Sequence, residues 1–194
     1  MTKANIIDSI YYMLRKKHDE VNHKAIIESV CNDVYNQLMY DTPAKDLKTF
    51  EFYTRTSEVA VALDADSQRY YSALPYGLVT LKNPINAIVA INSTEGLGHR
   101  FYPTTQKDIK NFDGLESDQV VTIYGYYLEG QRVYYKDYTS DLVAAGVRMS
   151  LAVQFNEFAA TTEVPLPSGR DYEFKQLILD YIKQNNIIDL QIPK

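Results

Sequence analysis

The hydrophobic residues of this chain change their spacing twice along the sequence, and this change limits the folds available to it. Up to about residue 40 they recur every three or four positions, which is typical of amphipathic helices. From about Thr49 they alternate every second position, as in half-buried strands, and after Ser168 the helical spacing returns. Because helices and strands occupy separate stretches, the sequence predicts an α+β fold.

The helical spacing predicts an N-terminal helical hairpin and a C-terminal helix. The first helix is centred on Ile6 and Ile10, residues 18–23 indicate a polar connector, and a second helix is expected at about 24–40. Pro43 ends the second helix, because proline cannot continue the hydrogen-bond ladder. The apolar stripes of the second and C-terminal helices consist of Ile27, Val30, Cys31, Val34 and Leu38, and of Phe174, Leu177, Ile178, Tyr181 and Ile182.

The stretch between the helices predicts a central, mostly antiparallel β region of five to seven strands. Its clearest element is a hairpin at 120–138, where Gly130 supplies the positive φ of a tight turn. Residues 92–118 lack a regular pattern and are expected to form an irregular insertion suited to partner contact. Further strands are expected near 50–54, 59–63, 85–91 and 141–155. The predicted domains are 1–44 (helical hairpin), 45–164 (β-rich region) and 165–194 (C-terminal helix and tail).

The charge of the chain argues against broad contact with nucleic acid. It has 25 acidic and 20 basic residues and a net charge of −5, whereas proteins that grip phosphates over a wide face are usually basic. An acidic wall around a DNA channel is compatible with this charge. Cys31 is the single cysteine, so we expect no intrachain disulfide, a buried thiol and a reduced, intracellular site of synthesis. No apolar run approaches the ~20 residues that cross a bilayer, and the N-terminus lacks a signal-peptide core.

No motif in the sequence predicts catalysis, a cofactor or a metal site, so we assign no residue to these roles and expect no enzyme. Gly96 and Gly98 lack the Lys-Ser/Thr ending of a phosphate loop. His18 and His23 are five positions apart, which misses the one-turn spacing of a shared zinc site, and His99 has no visible triad partner. The acid pairs in turn-like stretches are expected to be solvated; they are Asp64 with Asp66 and Glu116 with Asp118.

Tyrosine is unusually frequent, with 17 copies and no tryptophan, and three tyrosine doublets fall on predicted strands. Neighbouring residues on a strand point to opposite faces, so we expect one ring of each doublet to pack inward and the other outward. Outward rings can contact a partner subunit or stack on a sugar. The doublets are Tyr70-Tyr71, Tyr126-Tyr127 and Tyr134-Tyr135.

A set of segments spread over most of the chain carries a family resemblance. It comprises the initial helix pair, Arg69-Tyr70-Tyr71-Ser72-Ala73-Leu74-Pro75, residues 78–91, Arg148-Met149-Ser150, Val164-Pro165-Leu166-Pro167 and the helix at 172–182. In this order and texture the chain resembles the head-to-tail connector, or ring, proteins of short-tailed bacteriophages, in particular those of the crAss-like group.

The resemblance implies a structural virion protein at the head–tail junction, made in the host cytoplasm. About twelve copies would form a ring beneath the portal, in contact with the portal and with neighbouring tail or ring proteins. DNA would pass through the lumen without sequence-specific binding, and neither a cofactor nor a membrane is implied.

Two other functions stay open from the residues alone. A carbohydrate- or ligand-binding β module would use outward tyrosines around 124–138. An enzyme would use carboxylates of the irregular insertion, which are Asp108, Asp113, Glu116 and Asp118.

Overall fold

The computed structural model of the chain describes residues 1–14, 19–49, 51–94, 100–104, 125–136, 146–166 and 171–188. The α-helices in these ranges are α1 (Lys3–Met13), α2 (Glu20–Tyr40), α3 (Ala44–Thr49) and α4 (Asp171–Gln184). The strands are β1 (Thr54–Arg55), β2 (Ala62–Asp64), β3 (Arg69–Ala73), β4 (Ile88–Ser93), β5 (Arg100–Pro103), β6 (Gly125–Glu129), β7 (Arg132–Lys136) and β8 (Val147–Leu151). Two short 3-10 helices, Pro84–Ala87 and Phe155–Glu157, complete the described elements.

The predicted α+β class is confirmed: a helix pair comes first, a mostly antiparallel sheet follows, and a helix comes last. The described sheet has eight strands where five to seven were expected. One unexpected strand is β5, which lies inside the stretch 92–118 where none was predicted, whereas β1 and β2 overlap the strands expected near 50–54 and 59–63 only at their ends. No helix in the described ranges has both the length and the apolar character needed to cross a bilayer.

The chain forms two compact units. The helical unit contains Met1–Phe52, Leu78–Lys82 and Val153–Lys194, and the sheet unit contains Tyr53–Gly77 and Asn83–Ala152. The two ends of the sequence therefore belong to the same unit, which brings α4 against α1 and α2.

Aromatic packing around Tyr35 of α2 fills the core of the helical unit. The Tyr35 ring lies 6.1 Å from the rings of Phe155 and Phe174 and 6.2 Å from the ring of Phe158. The Tyr35 hydroxyl donates to the Pro165 carbonyl at 3.3 Å, and burial raises the pKa of this phenol. The helices add further buried side chains, which include Ile6, Ile10, Ile27, Val34, Ile178 and Ile182.

The predicted connector at 18–23 is wrong in its second half, because α2 begins at Glu20 and includes His23. The Asp19 carboxylate accepts two hydrogen bonds of 2.8 Å from the Asn22 side-chain amide. Glu20 occupies the first turn, where the helix dipole favours negative charge. The mostly polar residues at 19–23 therefore form a helix start.

The strand spacing predicted from Thr49 also begins too early, because α3 occupies Ala44–Thr49. The Pro43 carbonyl accepts hydrogen bonds from the backbone N–H groups of Asp46 at 2.9 Å and Leu47 at 3.2 Å. Leu47 is fully buried, so one apolar anchor holds a helix too short to show a period.

In α4 the predicted stripe is confirmed at Phe174, Ile178 and Ile182, which are buried. It is wrong at Leu177, which is 42% exposed, whereas Leu179 is 6% exposed. The buried positions follow the i, i+4, i+8 row, and Leu179 extends the buried face beside it.

The sheet of the sheet unit has the strand order β1-β8-β4-β5-β6-β7-β3-β2. Neighbouring strands are antiparallel except β5 and β6, which run parallel with Tyr102 opposite Gly125 and Pro103 opposite Tyr126. The inner face of the sheet buries apolar side chains, which include Ile91, Phe101, Val133, Met149 and Leu151.

The hairpin predicted at 120–138 is confirmed in its described part. β6 and β7 pair from Gly125 opposite Lys136 to Glu129 opposite Arg132, and Gly130 in the turn has φ 58°. The strand predicted at 85–91 starts later, because Pro84–Ala87 forms a 3-10 turn before β4. Within 92–118, where no period was visible, residues 100–103 form β5.

Candidate interaction surfaces

In the tyrosine doublets of the β6–β7 hairpin one ring points inward and the other outward, as predicted, but the outward rings are buried as well. Tyr126 and Tyr127 are 2% and 6% exposed, and Tyr134 and Tyr135 are 8% and 3% exposed. Successive side chains still alternate between the faces of the sheet, but both faces are covered here. These four rings therefore offer no open stacking surface.

Tyr126 and Tyr135 lie on the inner face of the sheet. The Tyr135 ring packs 5.1 Å from the Phe101 ring of β5, and the Tyr126 hydroxyl donates to the Ile88 carbonyl at 3.3 Å. Burial raises the pKa of Tyr126, so this phenol keeps its proton and its role as a donor.

Three rings form a row on the outer face, which we call the tyrosine ladder: Tyr71, Tyr134 and Tyr127. They are directly paired residues on β3, β7 and β6. The Tyr134 ring lies 5.2 Å from Tyr127 at an angle of 13°, and 5.8 Å from Tyr71 at 40°. Each ring covers its neighbour, which explains why outward-pointing rings are buried. Cross-strand aromatic pairs of this kind stabilise a sheet by roughly 0.2–1 kcal/mol each.

Two arginines contact the end rings of the tyrosine ladder. The Arg132 guanidinium lies 4.5 Å from the centre of the Tyr71 ring, a cation–π contact. Arg69 Nη1 donates to the Tyr127 hydroxyl at 3.2 Å. The pKa of Arg132 is raised, first by hydrogen bonding with Tyr134, so this side chain stays positively charged beside the tyrosine ladder.

Asp64, considered with Asp66 as a carboxylate pair, belongs to a turn. Its carboxylate accepts a 2.6 Å hydrogen bond from the Ser67 hydroxyl and lies 4.0 Å from Arg132. The Ser67 hydrogen bond and, to a smaller extent, Arg132 hold the pKa of Asp64 below its ordinary value. Within the described ranges, no three His, Cys, Asp or Glu side chains are close enough to hold a metal ion.

A groove of about 350 Å³ opens beside the tyrosine ladder. Tyr127 forms one wall, and Glu129 supplies a carboxylate. Its lining mixes apolar and uncharged polar groups with the one carboxylate of Glu129, so the groove brings together no pair of carboxylates for acid–base chemistry. Its lining consists of Asn83, Pro84, Ile85, Thr104, Tyr127, Leu128 and Glu129.

The helical hairpin carries exposed apolar side chains where α1 ends and α2 begins. Tyr12 and Met13 are 70% and 45% exposed, and Val21 is 80% exposed. We call these three residues the hairpin end. Single exposed apolar residues are common, but three at the adjoining ends of a helix pair are available for burial by another protein.

Next to the hairpin end one salt bridge links α2 to α1, and a second lies within α2. Lys24 Nζ lies 2.7 Å from Asp8 of α1 and 2.6 Å from Glu20 of α2. The same ammonium lies 5.4 Å from the centre of the Tyr11 ring, and its pKa is raised, first by the Asp8 hydrogen bond. The exposed residues therefore belong to two helices that an ion pair links.

The outer face of β1, β8, β4 and β5 carries exposed arginines. In register, Arg148 of β8 lies beside Asn92 of β4, and Asn92 lies beside Arg100 of β5. All three side chains are exposed. Since strands are about 4.8 Å apart, the Cα atoms of Arg148 and Arg100 are separated by about 10 Å.

A second row on the same face adds a third arginine. Arg55 of β1 pairs with Ser150 of β8, and Ser150 pairs with Ala90 of β4. Tyr102 lies two residues along β5 from Arg100 and is 53% exposed. We call Arg55, Arg100 and Arg148 the arginine face; in the described residues of these four strands, its side of the sheet carries no carboxylate.

Cys31 is fully buried in α2, as predicted, and burial raises the pKa of its thiol. The remaining residues weighed from the sequence lie outside the described ranges, and so does Ser168, after which the helical spacing was expected to return. They are Gly96, Gly98, His18, His99, Asp108, Asp113, Glu116 and Asp118.

The arginine face was missed by sequence reasoning, although one signal for it is present. Val147, Met149 and Leu151 alternate, so the intervening Arg148 and Ser150 must share the opposite face. The partners across the strands come from three distant segments, and the register that aligns them is a tertiary property.

Compared with known proteins, the chain matches no family model and no curated sequence.

Proposed function

We propose that this chain is a structural virion protein, a head-to-tail connector or ring subunit of a short-tailed, crAss-like bacteriophage. In this proposal about twelve copies oligomerise beneath the portal at the head–tail junction of the virion and form part of the DNA channel. The portal and the neighbouring tail or ring proteins are its partners. The role is mechanical and needs neither a catalytic residue nor a cofactor.

The observation that carries the proposal is the exposed, apolar hairpin end. A closed ring requires a heterologous contact, in which one patch of a subunit meets a different patch of the next. The hairpin end offers one such patch, with Val21 at 80% exposure and Tyr12 at 70%. Tyrosine is enriched in protein interfaces because its large ring is buried at low entropic cost.

The salt bridges of Lys24 next to the hairpin end support the same role. The ion pair between Lys24 of α2 and Asp8 of α1 adds to the buried core in ordering the two helices before any partner binds. Preorganised surfaces lose less conformational entropy on association, which favours assembly of many identical contacts. The net charge of −5 further suits a channel in which most of the wall repels DNA.

Mass photometry of the purified chain, alone and with the portal protein, tests the proposal. We expect a defined oligomer in one or both conditions. The variant Tyr12→Ser/Val21→Ser should shift the population toward monomer, because the patch is lost while the buried core is unchanged. Leu63→Ser, which alters a 50% exposed residue of β2, is the matched control and should assemble normally. Wild-type protein that stays monomeric in both conditions would contradict the ring.

The alternative, a carbohydrate- or ligand-binding β module, depended on outward tyrosines at 124–138. The four doublet rings in this range are buried, which does not favour a binding module that stacks a ligand on them. A glycan array with the purified chain distinguishes the two functions, since a connector is expected to bind no sugar.

A further inference from the structure

The two ends of the tyrosine ladder differ in what lies against them. At the Tyr71 end, the Arg132 guanidinium lies 4.5 Å from the centre of the ring. At the other end, Tyr134 stacks on one face of the Tyr127 ring at 5.2 Å, and Tyr127 forms a wall of the groove. The ladder therefore shows, at its Tyr71 end, the kind of group that can complete such a row of rings.

The groove begins where the row of large rings stops at β5. Pro103 lies opposite Tyr126 in the parallel pair, and the Thr104 N–H donates to the Tyr126 carbonyl at 2.7 Å. The next position of this register places Thr104 beside Tyr127. A Cβ atom at Gly125 would lie 3.1 Å from the Thr104 methyl group, so the threonine lies on the same face as the ladder. A small side chain thus occupies the position of a fourth ring, and it lines the groove.

Glu129 gives the groove a negative charge. It is exposed and lies two residues along β6 from Tyr127, so the two side chains share a face. Its cross-strand partner Arg132 has its guanidinium at Tyr71, 4.0 Å from Asp64. Among the described residues, Glu129 makes no ion pair and the groove lining contains no cationic side chain. A cation brought by a ligand can therefore pair with this carboxylate.

The size and lining of the groove suit one planar, cationic side chain. Its volume of about 350 Å³ is near the lower end of the range for ligand pockets, about 300–1,000 Å³. Pro84, Ile85 and Leu128 offer apolar surface to the methylene groups of such a side chain. A guanidinium can lie flat on an aromatic ring and pair in a bidentate manner with a carboxylate, whereas an ammonium acts as a point charge. Free arginine fits less well, because the described lining offers no cation to its α-carboxylate.

We propose that the groove binds an arginine side chain presented by a partner protein. The guanidinium lies against the Tyr127 ring and pairs with the Glu129 carboxylate, so it adds one planar group to the tyrosine ladder. All the lining residues belong to the sheet unit, and the hairpin end belongs to the helical unit. The site therefore goes beyond the proposed ring contact and does not depend on it.

Saturation-transfer NMR with the full chain and short blocked peptides measures this binding. The probes are a glycine–arginine–glycine peptide, its citrulline and lysine counterparts, and free arginine. Citrulline keeps the planar shape of arginine and lacks the charge, so its peptide should bind about 10-fold more weakly. The lysine peptide and free arginine should also bind more weakly than the arginine peptide.

Two variants locate the site. Glu129→Gln removes the ion pair and should weaken binding of the arginine peptide about 3- to 5-fold. Glu163→Gln, which removes an exposed charge from the helical unit, is the charge-matched control and should bind like wild type. Thr104→Phe places a ring in the groove and should abolish binding, and thermal unfolding checks that this variant is folded.

Several results would overturn the proposal. They are equal affinity for the arginine and citrulline peptides, no saturable binding of the arginine peptide, and wild-type binding by Glu129→Gln or by folded Thr104→Phe. Tighter binding of free arginine than of the arginine peptide would overturn the choice of a protein as the source of the side chain.

Discussion

Gly146 provides a quantitative test of the sheet unit, because a side chain at this position meets backbone. Gly146 precedes β8 with φ 70°, and a Cβ atom there would lie 2.8 Å from Glu58 Cγ and 2.9 Å from the Val59 carbonyl oxygen. The carbonyl cannot simply move away. Val59 and Val147 exchange two backbone hydrogen bonds, of 2.8 Å and 2.9 Å, which hold it in place.

The variant Gly146→Ala therefore combines two costs. The positive φ costs an alanine roughly 1–2 kcal/mol. Overpacking against a fixed carbonyl adds roughly 1–3 kcal/mol. We expect a loss of about 2–5 kcal/mol in the free energy of unfolding of the sheet unit.

Gly130→Ala is the matched control, because Gly130 has φ 58° and a Cβ atom there would meet nothing within 4 Å. It carries the conformational cost alone, roughly 1–2 kcal/mol. Urea denaturation followed by near-ultraviolet circular dichroism of the tyrosines compares the two variants. If Gly146→Ala is no more destabilising than Gly130→Ala, the contact between Gly146 and Val59 is refuted.

Three further outcomes follow from the packing and the electrostatics. Phe174→Ala should lower the free energy of unfolding of the helical unit by roughly 3–5 kcal/mol in thermal or urea unfolding. Tyr172 is 68% exposed on the same helix, so Tyr172→Ala should stay near wild type. Equal effects of the two variants would contradict the aromatic core. Because the pKa of Asp64 is lowered on folding, its stabilising contribution is complete above the ordinary value of 3.8 and is lost as the pH falls through the lower folded value. Asp64→Asn should therefore be less stable than wild type at neutral pH, with a difference that shrinks in acid; a constant difference from pH 7 to pH 2 would contradict this. The Cys31 thiol is fully buried and its pKa is raised, so it should react with a maleimide no faster than the protein unfolds. Labelling within seconds under native conditions would count against its burial.

The sequence predicted the elements that have a long and regular period. The stripe of α2 and the β6–β7 hairpin were found because Ile27 to Val34 and Gly130 each follow a local rule. α3 was missed and β1 overlaps its predicted strand only at Thr54, since elements of six and two residues are too short to show a period. Their structure depends on tertiary contacts such as the burial of Leu47.

Surface properties were harder to predict than elements. Alternation correctly separates Tyr126 from Tyr127, but it cannot reveal that the outward ring is covered by Tyr134 on the next strand. For the same reason the arginine face was invisible, because Arg100 and Arg148 meet across β4 only when the strand order is known. A net charge of −5 averages over both units and hides a local positive face.

The oligomeric state of the purified protein tests the central proposal most directly. Mass photometry with and without the portal protein should show a dominant species near twelve times the 22.3 kDa subunit mass. The Tyr12→Ser/Val21→Ser change should reduce the fraction of protein in this species. A single 22.3 kDa species in every condition, indifferent to that change, would contradict the assignment of this chain to a ring.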